Sequence, residues 1–157
     1  MLTRFVLALG IVAGAMLAPA FAAKTERRVA LVVGNSEYAH ASALRNPRND
    51  ANDLAELLKK LDFEVLLSVD LDQQKFARSI DQFGRMLEDA EVGLFFYAGH
   101  GLQINDKNYL VSTNAQLANE FLIPSETIEV DAVVRLMESK TADQLDLPRC
   151  LPQQPVG

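Results

Sequence analysis

The sequence predicts an α/β domain with a mostly parallel sheet flanked by helices. Three observations carry this. Apolar runs of strand length occur at Arg28–Gly34, Phe63–Val69 and Val92–Ala98. The two stretches between them place apolar residues at helical spacing. The connections are short, as in right-handed crossovers between parallel strands. At 157 residues, the chain is long enough for one domain with a real core.

The chain opens with a short basic start ending at Arg4, an apolar run over residues 5–17, and Ala20-Phe21-Ala22. This is the pattern of a secretory signal peptide over residues 1–22, cut after Ala22. Its apolar run is too short for a good transmembrane helix. The expectation is an exported protein, periplasmic or secreted, with no membrane segment after cleavage.

The first strand ends in the turn Gly34-Asn35-Ser36. A loop follows, containing Pro47 and several asparagines. Leu54, Leu57, Leu58 and Leu61 then predict one face of a helix, with Asn49 or Asp50 as its N-cap. Asp53 and Glu56 belong to its solvated side. After the second strand, Phe76, Ile80, Phe83 and Leu87 mark a second helix. The third run, Val92–Ala98, has aromatics and no charge, and reads as a strand buried on both faces. It delivers His100 between Gly99 and Gly101, where parallel sheets place their chemistry. Leu102 to Ile104 and Tyr109 to Ser112 flank a polar turn and predict a hairpin. Val130, Val133, Val134 and Met137 predict a third helix. No strand follows it: Pro148 and Pro152 interrupt the next segment, and proline is excluded from central strands.

Composition narrows the chemistry. Acidic residues outnumber basic ones 21 to 15, for a net charge of −6. Loss of Arg4 with the leader makes the balance more acidic still. That argues against general nucleic-acid binding. The chain has two histidines and one cysteine, His40, His100 and Cys150. Widely separated, they do not make a zinc site, and no metal or cofactor is expected. A lone cysteine in an exported protein is a free thiol or an intermolecular bridge. There is no nucleophile-elbow serine, phosphate loop or dinucleotide fingerprint. His40 reads as a solvated loop residue, Tyr97 as core, and Tyr38 as a loop tyrosine packing on the sheet or lining the cleft.

Several segments together resemble the caspase-like cysteine peptidases, particularly bacterial members and the paracaspase and metacaspase relatives. They are residues 30–35 with Tyr38, then Leu44-Arg45-Asn46-Pro47 with Asn49-Asp50-Ala51, then residues 61–65. The most specific is Tyr97-Ala98-Gly99-His100-Gly101, and Leu136-Met137 closes the match. The resemblance spans residues 27–145 and implies a caspase-hemoglobinase fold, here lacking the strands after the third helix. It implies proteolysis by a Cys–His dyad acting on peptide or protein substrates. His100 would be the general base, and the Gly101 N–H would form half of the oxyanion hole. Asp50 would sit in a pocket for a basic side chain, which a carboxylate holds by charge-assisted hydrogen bonds.

The family's nucleophile string, of the form Asp-Ala-Cys-Arg, is missing. Cys150 lies near the right distance but between prolines, with no strand to hold it. Residues 146–156 can be back-translated with permitted codons so that a reading one nucleotide later gives Ile-Phe-Leu-Asp-Ala-Cys-Arg-Asn-Asn-Pro. The expectation is therefore a frameshift near residue 145, an aberrant tail over residues 146–157, and a chain inactive as written. A peptide-binding module without catalysis, or a truncated product that folds poorly, are the alternatives.

Overall fold

The computed structural model describes residues 26–142. The leader (residues 1–22), the tail (residues 146–157) and Cys150 lie outside the described residues.

Three parallel strands form the central sheet: β1 (Arg28–Gly34), β2 (Phe63–Val69) and β3 (Val92–Ala98). Their order is β2-β1-β3, and Gly34 stands opposite both Val69 and Ala98. The carboxyl ends of all three strands are therefore level, and the loops leaving them share one crevice.

Successive side chains of β1 point to opposite faces, and each face builds a core. Ala30 and Val32 meet Ala51, Ala55 and Leu58 of α1 (Pro47–Lys60). Val29, Leu31 and Val33 meet Phe76 and Phe83 of α2 (Gln73–Met86), with Leu87 of the following 3₁₀ turn. Among the described strands, only β1 is buried almost throughout. β3, expected to be buried on both faces, is mostly half-buried, because among the described residues it pairs with β1 alone.

The face of α1 also differs from the expected leucine stripe. Leu57 and Leu61 are 53% and 50% exposed, while Pro47, Ala51 and Ala55 join Leu58 on the buried side. Close approach explains it. A Cβ on Gly34 would lie 2.8 Å from the Ala51 Cβ and 2.5 Å from the Pro47 carbonyl oxygen, so only small side chains fit where helix crosses strand. The N-cap is Asn46, followed by Pro47 at the first helical position, rather than Asn49 or Asp50. In α2 the Asp72 carboxylate accepts the Lys75 N–H at 2.8 Å and caps the helix.

A second, antiparallel sheet follows: β4 (Gly101–Ile104), β5 (Lys107–Val111) and β6 (Thr127–Glu129). The β4–β5 turn is only Asn105-Asp106, with φ of 49° and 61°. Positive φ at both positions is the mirror-image turn that matches strand twist, and Asn and Asp tolerate it. The strands thus run closer to the turn than the expected four-residue connection. The short helix α3 (Ile123–Glu126) and β6 were not foreseen; three residues are too few for an alternating pattern to register. Last comes α4 (Val130–Ala142), which buries Val133 and packs Met137 on the α2 side while leaving Val134 43% exposed. No helix among the described residues is long and apolar enough to cross a membrane.

Candidate active site

The loops at the carboxyl ends of the strands are tied together by one buried asparagine. The Asn35 backbone N–H donates to the Ala98 carbonyl at 2.9 Å, closing the ends of β1 and β3. Its side-chain Nδ2 donates to the Val111 carbonyl at 3.2 Å, and its Oδ1 accepts the Leu71 N–H at 2.9 Å. Buried and bonded through both its amide nitrogen and its oxygen, this side chain locks β1, β3, β5 and the β2–α2 connection in one register.

The loop leaving Asn35 is held from β2. Asp70 accepts the N–H groups of Ser36 and Glu37 at 2.8 and 3.0 Å and pairs with the Arg48 guanidinium. Burial pushes the Asp70 carboxyl up, but Arg48 and the two amides together outweigh it and hold it below its ordinary value. The same pair raises Arg48. The Arg48 N–H also donates to Ser36 Oγ at 3.1 Å, and the Leu44 N–H returns to the Ser36 carbonyl at 2.9 Å.

The strap so formed carries Tyr38 and Ser42 to His100. The His100 N–H donates to Tyr38 Oη at 2.8 Å, and the phenol ring lies 4.5 Å from the imidazole, tilted by 56°. His100 Nε2 lies 2.8 Å from the Ser42 carbonyl oxygen. A carbonyl only accepts, so Nε2 carries the proton and Nδ1 keeps the lone pair. The imidazole is half-buried, held at one nitrogen and able to take a proton at the other. Tyr38 thus packs on the histidine, and His40 is exposed as expected.

Gly101 is exposed and opens β4, opposite Leu110. Asp50 lies in the first turn of α1, where its N–H donates to the Asn46 carbonyl. It lines a depression of about 350 Å³ with Leu44, Arg45, Asn46, Pro47, Ala98 and Gly99. His100, Gly101 and this depression therefore adjoin one another at the end of β3. Cys150 is not among the described residues, and no cluster there of His, Cys, Asp or Glu could hold a metal.

The caspase domain family matches this chain over residues 27–145. The chain belongs to that family. Its caspase-like fold is the α/β arrangement above, a parallel three-stranded sheet flanked by helices. Over 88 residues it is 34% identical to mucosa-associated lymphoid tissue lymphoma translocation protein 1 of Homo sapiens, and equally to the Mus musculus homolog. Each match covers 56% of this chain and 11% of the relative, so the likeness spans about a tenth of the curated relatives' length. The matched family is a peptidase family.

Asn35, Asp70, Arg48 and Ser42 escaped the sequence reading. Asn35 had a usable signal, an asparagine directly after a strand-ending glycine. Ser42 had none, because it acts through its backbone carbonyl.

Proposed function

We propose that this chain presents the histidine side of a caspase-like Cys–His endopeptidase site that accepts a basic side chain. In the complete site a thiolate attacks the scissile carbonyl. His100 takes the thiol proton at Nδ1 and returns it to the leaving amine, while the Gly101 N–H donates to the developing oxyanion. The observation that carries the reading is the imidazole held by the Ser42 carbonyl at the end of β3, beside the depression containing Asp50. Asp50 supplies a carboxylate for an arginine or lysine head group.

Catalysis in the chain as written is a separate matter. Its single cysteine, Cys150, lies between Pro148 and Pro152. That favours a second reading, a module that holds basic peptides without cutting them; a frameshift upstream of Asp146 then accounts for the lost nucleophile string. The nucleotide sequence across codons 140 to 157 checks this directly. On the same proposal the protein is exported after cleavage beyond Ala22.

The test is titration of arginine- and aspartate-containing peptides against the full chain. Arginine peptides should bind without turnover, and Asp50→Asn should weaken them about tenfold, the worth of one charge-assisted pair. Equal binding of both peptides would sink the basic pocket. Turnover abolished by Cys150→Ala would overturn the claim of inactivity.

A further inference from the structure

The geometry points to Tyr38 as a positioning residue for His100, acting through a closed ring of hydrogen bonds that begins and ends on the histidine's own peptide groups. This rests on the reading of His100 as the working histidine. The directions follow from what each atom can do. Tyr97 Oη lies 2.8 Å from the His100 carbonyl oxygen and 3.0 Å from that of Val111. Carbonyls only accept, so the single Tyr97 proton is directed to them. Its 3.2 Å contact with Tyr38 Oη must then be accepted, which commits the Tyr38 proton to Tyr97. That leaves a Tyr38 lone pair for the His100 N–H at 2.8 Å. The path runs from His100 N–H through two hydroxyls to the His100 carbonyl, each proton used once.

Two further observations agree. Gly99 leaves room for the ring: a Cβ there would lie 2.5 Å from Tyr97 Oη and 2.6 Å from Tyr38 Oη. Burial first, and then the Tyr38 hydroxyl, push the Tyr97 phenol far above its ordinary value, so Tyr97 remains a donor throughout the working pH range. The ring fixes the peptide on which the imidazole pivots, and the Tyr38 face abuts the imidazole itself. With the Ser42 carbonyl holding Nε2, both ends of the side chain are set. Proton transfer depends on such placement, since small displacements cost rate.

The test is imidazole NMR on the full 157-residue chain with isotope-labelled histidine, using His40→Gln to assign the two rings. His100 should show one tautomer with a slowly exchanging Nε2–H, unlike exposed His40. Tyr38→Phe keeps the aromatic ring and removes the hydroxyl. Losing the bond from the His100 backbone N–H to Tyr38 loosens the seat of the imidazole, so exchange of the Nε2–H from the Ser42 carbonyl should speed up about fivefold or more, and the His100 signals should move toward those of His40. Tyr97→Phe should move them the same way by less. A Tyr38→Phe protein that folds with unchanged His100 signals overturns the proposal, even if its unfolding midpoint drops. Should Tyr38→Phe not fold, Tyr97→Phe carries the test alone, and unchanged His100 signals there overturn it. The imidazole signals are read without substrate. A failure of the chain to bind peptide counts against the peptidase reading and leaves this measurement intact.

Discussion

His100 owes its place to backbone carbonyls, amides and two phenols rather than to a charged partner. Its own peptide is bonded to Tyr38, Tyr97 and Val111, and its ring to Ser42. The histidine was legible in the sequence because a strand-length apolar run ending in Gly-His-Gly is a rare string with a clear physical sense. Its supports were not legible, because carbonyl oxygens exist at every residue and only the folded loop selects Ser42. Gly99 is where this network is most vulnerable. Gly99→Ala sets a methyl within contact-forbidden range of both tyrosine hydroxyls. It should cost about 1–3 kcal/mol, the usual penalty of overpacking, seen as a lower urea midpoint. An unchanged midpoint would show that the hydroxyls can move aside at no cost.

At the scale of elements, the strap of residues 36–45 connects the sheet to the site. Its anchor is Asp70, which has a φ of 51° and accepts two amides and a guanidinium. Because the folded carboxyl titrates below its ordinary value, its contribution is present above the unfolded value of about 4 and is lost as pH falls through the folded one. Asp70→Asn should destabilise the protein by about 1–2 kcal/mol at neutral pH. The gap between wild type and variant in urea midpoint should then hold above about pH 4 and close as pH falls from there through the lowered folded value. A gap that stays constant with pH would mean that the carboxylate's charge contributes nothing. The strap itself could not be read from its sequence: Asp70 and Ser36 are 34 residues apart, and polar loop residues carry no period.

Across the whole molecule, burial decides which of two chemically identical residues matters. Phe83 is fully buried between α2 and β1, whereas Phe121 is 95% exposed. Phe83→Ala should cost about 3–5 kcal/mol, and Phe121→Ala no more than about 0.5 kcal/mol. Comparable losses in the two urea titrations would contradict the core assignment. The sequence by itself determined the three parallel strands, their alternation with helices and the position of His100, because apolar runs and helical spacing are local consequences of what must be buried. It also carried the family resemblance, since strings such as Tyr97-Ala98-Gly99-His100-Gly101 are contiguous. Only the tertiary structure decided that the small residues of α1 face the sheet, where Gly34 admits no larger neighbour. It alone brought the Ser42 carbonyl to His100 and set the Tyr38 ring against the imidazole, and it put Asp50, expected in a pocket, into the depression beside Gly99. Those contacts join residues far apart in the chain, and their energy exists only once β1, β2 and β3 end level with one another.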